Sequence, residues 1–492
     1  MFRKRRLKAT PGGRYYKTSI QKLSDSSKKI LVVAYIFPPL ARAGVHRTVR
    51  FVRYLAPLGW DMTVLTADES YYPFNSPVDH ALLKKIPPSI KVEATKIFRG
   101  FNKLLELKNR NKQAANEKQP ATSNQQRATS NEQPATSKPR GWWQRSKDLI
   151  TDLMTIPDKD VNWLPYAFFA ALKLHRRERF DVIYSTAPPF TGHLAAYFVK
   201  KITGLPWVAD FRDPWARAPW KSELMAGTLR GRAAEFLEAK FVHAADRVIL
   251  NTEWTSRDFA EFYGATIAKK FAVIPNGFDP EDFSSVQLPR QKNNKLVITH
   301  TGSLYRKRDP GDFFEALGKL LATEQIKPDE IELRFVGGIA PELYGSFQYA
   351  EALRHVVQVI PPVSHREALA FQAESDVLLI LQPGTSMSIP GKIFEYIAMR
   401  KKILALTPAG ATADVVRRHG LGLVVDSDDA HAIQTALLHL VKEFRNGGIT
   451  PPAVDGAFHK YDGVTLARRL HEELLCCVEN RNPFRAEYSM LG

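Results

Sequence analysis

Two series of short, unbroken apolar runs, separated by helical patterns, constrain this chain more than any other feature of its sequence. The first run, Lys28-Lys29-Ile-Leu-Val-Val-Ala-Tyr35, is apolar from Ile30 onward and ends at Pro38-Pro39. Such a strand has no polar face to offer water, so it belongs in a parallel sheet covered by helices on both sides. A helix is predicted over 47–58, where Val49, Val52 and Leu55 share one face, and Gly59-Trp60 closes it. The run 61–66 completes a βαβ unit, and runs at 181–185, 206–209, 247–250 and 272–274 extend the series. After Ile274-Pro275-Asn276-Gly277 the chain turns polar as far as Lys295. A second series follows at 296–299, 333–336, 357–359, 377–381, 403–406 and 423–425.

The fold class expected is therefore α/β, with two Rossmann-like doubly wound domains facing across a cleft. Boundaries are predicted at 28–275 for the first domain, 276–294 for a linker and 295–455 for the second. Residues 456–492 form a C-terminal helix and tail able to pack back on the first domain.

Two segments fall outside this pattern. Residues 124–130 and 131–137 are successive polar copies of one seven-residue unit, and 116–123 is a longer third copy. Pro120 and Pro134 and the lack of an apolar stripe make 110–140 a disordered insertion and not a coiled coil. Deleting 116–137 is expected to leave Tm nearly unchanged, and a loss of several degrees would show that it packs.

The arm 1–27 carries eight cations before its first acid, Asp25, within a formal charge of +19. Such a field attracts nucleic acid, anionic lipid and phosphorylated small molecules alike, and a soluble basic protein with no polyanionic partner is the alternative. No nucleic-acid-binding pattern accompanies the charge. Cys476 and Cys477 are adjacent, which suits neither a disulfide framework nor a metal site and points to a reducing compartment. No apolar run approaches the length of a membrane span.

Ligands of doubly wound sheets bind beyond the carboxyl ends of the strands, so four loops hold the candidate site. In Pro38-Pro39-Leu-Ala-Arg-Ala-Gly44-Val-His46-Arg47, Gly44 opens a helix and either admits a ligand to the backbone or simply makes a turn. Thr301-Gly302-Ser303-Leu-Tyr-Arg306-Lys307-Arg308 combines small residues with three cations that suit a diphosphate or solvent. Pro390-Gly391-Lys392-Ile-Phe-Glu395 leads into a helix, where an early glutamate is also favoured by the helix dipole. Asp210-Phe-Arg212-Asp213-Pro-Trp215 is either a ligand site or an Arg-Asp structural pair. Asp158-Lys-Asp160 lies off the strand ends, Asp426-Ser-Asp428-Asp429 suits helix capping, and no phosphate-binding Gly-Lys-Ser/Thr loop occurs.

Together, Pro38-Pro39 with Gly44-Val-His46-Arg47, Asp181-Val-Ile-Tyr-Ser-Thr-Ala-Pro-Pro189, Pro206-Trp-Val-Ala-Asp-Phe-Arg-Asp-Pro-Trp215, Val273-Ile-Pro-Asn-Gly-Phe-Asp279, Thr301-Gly-Ser-Leu304 and Pro390-Gly-Lys-Ile-Phe-Glu-Tyr396 resemble the retaining GT-B glycosyltransferases of family four, in the bacterial surface-polysaccharide subgroup. The resemblance implies a nucleotide-sugar donor in the second domain and a glycan or lipid-linked acceptor in the first. It implies that Glu395 binds the donor ribose, Arg308 neutralises the diphosphate, Gly302 and Ser303 line the phosphates with Pro390 and Lys392 nearby, and Gly44 bounds the acceptor cleft with Arg47, Asp210, Arg212 and Asp213. No cofactor and no metal are expected, because cations and helix N-termini can stabilise a departing diphosphate.

Two positions depart from the family pattern. Met387 stands where a second Glu is frequent, and Tyr184-Ser-Thr186 stands where a His often meets the sugar, leaving His46 and His193 as candidates. These departures leave open an alternative: a non-catalytic nucleotide-sugar-binding or scaffold protein of the same fold. The arm, the apolar-cationic stretch 98–107 and Trp142-Trp143 further suggest peripheral attachment to the anionic inner face of a membrane.

Overall fold

The computed structural model describes residues 27–73, 76–98, 155–218, 227–284, 286, 294–305, 308–346 and 353–480. The basic arm up to residue 26, the 110–140 insertion, Trp142-Trp143, most of 98–107, Arg306, Lys307 and the tail from 481 lie outside those residues.

Both apolar series form parallel sheets. The first contains β1 (Lys28–Val33), β2 (Trp60–Ala67), β3 (Lys91–Thr95), β4 (Val182–Ala187), β5 (Trp207–Phe211), β6 (Arg247–Leu250) and β7 (Phe271–Val273), in the order β3-β2-β1-β4-β5-β6-β7. The second contains β8 (Leu296–Thr301), β9 (Ile331–Val336), β10 (Val357–Ile360), β11 (Val377–Leu381), β12 (Lys402–Leu406) and β13 (Gly422–Val425), in the order β10-β9-β8-β11-β12-β13. Connections run in opposite directions on either side of the β1/β4 and β8/β11 seams, and a crevice opens at such seams. The loops carrying Gly44, Gly302 and Pro390 follow β1, β8 and β11.

Strand β3 has no counterpart in the apolar runs. It is an edge strand, Lys-Val-Glu-Ala-Thr, whose Val92 is largely exposed, so burial never demanded an apolar sequence there.

The alternation within β1 explains how one run serves two faces. Leu31 and Val33 meet the helices Leu164–Glu178 and Thr191–Thr203, while Ile30 and Val32 face the opposite side. That opposite side is closed by the helices Val45–Leu55 and Gly463–Asn480. Leu466, Leu470 and Leu474 are fully buried there, each contributing about 1.5–3 kcal/mol. The last helix among the described residues is thus part of the first domain's core. Ala457 and Tyr461, just before it, pack in the second domain against Phe394.

Among the described residues the chain therefore passes between the domains twice, near 274–279 and again near 461–463. The two crossings touch, with Phe278 N–H donating to Tyr461 O at 3.2 Å.

Candidate active site

A cleft of about 740 Å³ lies between the carboxyl ends of the two sheets. Its first-domain wall begins at Gly44, whose φ of 93° is strained for other residues. The Arg212 guanidinium occupies the space where a Cβ on Gly44 would stand, 1.1 Å from Nη1. The glycine thus admits Arg212 to the wall. Gly44→Ala is expected to expel that side chain and lower activity with little loss of secondary structure, which kinetics and circular dichroism together would check.

Arg47 lines the cleft, yet its five N–H groups are committed. Nε and Nη2 donate to Asp210 at 2.8 Å each, Nη2 also to Ile274 O and Nη1 to Pro275 O at 2.8 Å, and Nη1 reaches Asn276 Oδ1 at 3.4 Å. Asp210 is fully buried and accepts further bonds from Tyr184 Oη at 2.6 Å and Thr186 Oγ1 at 3.3 Å. The Arg-Asp pair considered for this loop exists between Arg212 Nε and Asp213 at 3.5 Å, but a closer, buried pair joins Arg47 to Asp210 and ties helix Val45–Leu55 to β5 and to the first crossing. Asp210 does not line the cleft, whereas Arg212 and Asp213 do.

The same loop is held from behind by Glu238, a residue without a local sequence signal. Its carboxylate accepts from Trp215 N–H, Ala216 N–H and Tyr263 Oη at 3.0, 2.8 and 3.0 Å, and burial raises its pKa.

The two histidine candidates separate. His46 faces the cleft, 5.9 Å from the ring of His365 across the domain boundary. It is exposed to the cleft yet enclosed by both walls, and this desolvation, then His365, Arg50 and Lys85, lower its pKa. His193 is a correction. It is fully buried among Phe190, Trp207, Phe211 and Phe241, with Nδ1 2.8 Å from Ser185 Oγ, which also accepts from Trp207 Nε1. Burial pushes its pKa down to about 3. His193→Leu is expected to destabilise the fold by about 1–3 kcal/mol through its stranded partners, leaving KM for the donor unchanged.

On the opposite wall, Gly302 N–H donates to Val336 O at 2.8 Å as the chain leaves β8. A Cβ on Gly337 would stand 2.3 Å from Gly302 O, so the absent side chain lets this turn lie against the next strand's end. Gly302 and Ser303 form the turn, while Tyr305 and Arg308 reach the cleft itself. Arg308 stacks on Tyr305, 5.1 Å from the ring centre, and has no carboxylate partner among the described residues.

After β11, Pro390 and Gly391 line the cleft and lead into helix Lys392–Ala398, which presents Glu395. Glu395 Oε2 accepts from Gln372 Nε2 and Lys392 Nζ, both at 2.9 Å, and no hydrogen bond among the described residues engages Oε1. Lys392 does not line the cleft, so its placement is that of a positioning residue for Glu395. Gln372, fully buried, also donates to Thr301 Oγ1 at 3.0 Å and links this carboxylate to the end of β8. Its only trace in the sequence is a polar residue on the otherwise apolar face of Ala368, Leu369 and Ala373. Met387 does not line the cleft, and its carbonyl accepts from Thr252 Oγ1 of the first domain at 2.7 Å.

The acids off the strand ends are structural. Asp158 caps helix Thr191–Thr203 through Thr191 N–H and Oγ1 at 3.0 and 2.8 Å, and Asp160 pairs with Arg42 at 3.1 Å.

Residues 43–277 match the family model of the glycosyl transferase 4-like domain, and residues 295–443 that of the glycosyl transferases group 1. The chain belongs to the family-four-like GT-B glycosyltransferases. Two curated relatives, the D-inositol 3-phosphate glycosyltransferases of Thermobifida fusca and Kineococcus radiotolerans, are 22% identical over 222 residues and 24% over 156. These stretches are 42% and 29% of this chain and 50% and 36% of the relatives, so the chain spans half or less of their length.

Solved structures agree in fold over nearly the whole chain. A glycosyltransferase from Rickettsia africae superposes with a TM-score of 0.58 at 14% identity, covering 93% of this chain and 100% of its own. The Anabaena protein HepE, solved with UDP and glucose, gives 0.54 at 14% identity, covering 91% and 100%. Sucrose-phosphate synthase from Thermosynechococcus elongatus gives 0.53 at 14% identity, covering 94% and 100%.

Proposed function

We propose that this family member is a retaining glycosyltransferase that moves a sugar from a nucleotide-sugar donor to a glycan or lipid-linked acceptor in cell-surface polysaccharide biosynthesis. The observation that carries the reading is the second-domain wall, where a carboxylate oxygen free to accept and a guanidinium free to donate face one cleft. Glu395 Oε1 would accept a ribose hydroxyl, with Gln372 and Lys392 fixing its direction. Arg308 would meet the diphosphate as charge grows on it during bond breaking, and the chemistry calls for no cofactor. HepE, with UDP and glucose, and the curated relatives, named as glycosyltransferases, support this class of donor and reaction.

Release of nucleoside diphosphate from UDP-, GDP- or ADP-sugars in the presence of a bacterial lipid extract tests the reading. Donor binding without release across varied acceptors would favour the non-catalytic scaffold instead. Glu395→Gln is expected to act mainly on KM, because its contact is made equally before and during bond breaking.

Such acceptors place the protein at the cytoplasmic face of a membrane, held peripherally by an anionic leaflet. No helix among the described residues is long and apolar enough to span a bilayer. Phe169, Phe198 and Ile202, exposed on two adjoining helices beside Lys201, give an apolar-cationic surface of their own. Co-sedimentation with liposomes is expected to require anionic lipid, to fall with salt and to weaken when residues 1–22 are removed. Equal partitioning onto neutral and anionic vesicles, or none onto either, would refute the attachment.

A further inference from the structure

Helix Val45–Leu55 carries three arginines toward the domain boundary, and two are already occupied. Arg47 is engaged throughout its guanidinium, as described. Arg53 pairs with Asp279 at 3.1 Å and with Glu281. Arg50, between them, is 8% exposed and lines the cleft, yet it has no hydrogen bond or ion pair among the described residues.

The nearest acids are not free to serve it. Asp279 is held by Arg53 and by Tyr54 Oη at 2.5 Å, and Asp282 by Lys85. Desolvation and the neighbouring Arg47 push the Arg50 pKa down to about 10 against the more distant pull of Asp279 and Asp282, so it stays charged at neutral pH. A buried charge whose acidic neighbours are bonded to other cations, and which has no direct ion pair of its own, is left to be compensated by something arriving from solution.

Its position distinguishes it from the donor site. Arg308 and Glu395 belong to the second-domain wall. Arg50 belongs to the first, with its Cδ 3.0 Å from where a Cβ on Gly463 would stand, at the second crossing.

We infer that Arg50 receives an oxyanion on the acceptor, so that the acceptor of this enzyme carries a phosphate or carboxylate group. A guanidinium fork donates to two oxygens of either group at once. This inference rests on the glycosyltransferase reading for the word acceptor, but the anion site stands on Arg50 itself.

Calorimetric titration at low ionic strength tests it, using inorganic phosphate and glucuronate as separate probes beside UDP, GDP and ADP. Expected is binding of at least one anion in the presence of a saturating nucleotide, and the better anion identifies which group the site takes. Arg50→Met should weaken that anion by about tenfold or more while leaving the nucleotide unchanged, and Arg308→Ala should do the reverse. The Tm of Arg50→Met should rise, because an unpaired buried charge has been replaced by an apolar chain of similar length.

Anions that compete with the nucleotide, bind Arg50→Met equally or fail to bind would overturn the inference while nucleotide binding preserved the donor site. A fall of several degrees in Tm with unchanged anion binding would show Arg50 to be structural. Failure of all three nucleotides would instead refute the donor reading, with an Arg50-dependent anion still in place.

Discussion

Arg308→Ala is expected to lower kcat by about 10²–10³-fold, the usual cost of removing a donor aimed at charge that appears only in the transition state. The side chain is suited to this task because no carboxylate among the described residues neutralises it and Tyr305 steadies its plane against the cleft. KM for the nucleotide sugar should rise as well, since the ground-state diphosphate is already anionic. Nucleoside diphosphate release at saturating donor, compared with Glu395→Gln, separates the two effects. A kcat unchanged in Arg308→Ala would remove Arg308 from the transition state.

The second large effect is on stability. Asp210→Ala leaves the Arg47 guanidinium buried without its counter-ion, and breaking such a pair costs about 3–5 kcal/mol. Tyr184 and Thr186 lose an acceptor in the same step. Replacing both partners with apolar residues, as in Arg47→Met with Asp210→Leu, should restore much of the loss because no stranded charge remains. Denaturant unfolding followed by tryptophan fluorescence would report it through the first domain, where Trp163 and Trp207 lie in the core. A single mutant as stable as the parent would mean that water reaches Arg47.

The apolar strands and the loops after them were legible because burial on two faces writes an unmistakable pattern, whereas the seams depend on strand order, which only the sheets themselves reveal. Glu395 and Arg308 were singled out only through the family resemblance, because their loops alone fit a helix-start acid and solvated cations as well. The pairing of Arg47 with Asp210 was not legible, because the two are 163 residues apart and neither has a local partner to announce it. Gly44 was legible as a special backbone position, but the occupant of its missing side chain, Arg212, emerges only from three-dimensional packing. His193 misled for the opposite reason: it follows the right strand, but its helix turns it into an aromatic core. Glu238, Gln372 and Arg50 sit within helices whose sequence looks ordinary, and only the emptiness or fullness of their hydrogen-bonding capacity marks them.

The docking of helix Gly463–Asn480 onto the first sheet also sets a timetable for synthesis. When β7 has left the ribosome, one face of its sheet still lacks Leu466, Leu470 and Leu474. Translation at ~5–20 residues per second leaves that apolar face uncovered for roughly ten to forty seconds. During this interval the second domain can assemble, whereas the first waits for residues 463–480. Ribosome-bound chains stalled before residue 463 should therefore expose a sticky surface to chaperones, and chains released whole should not.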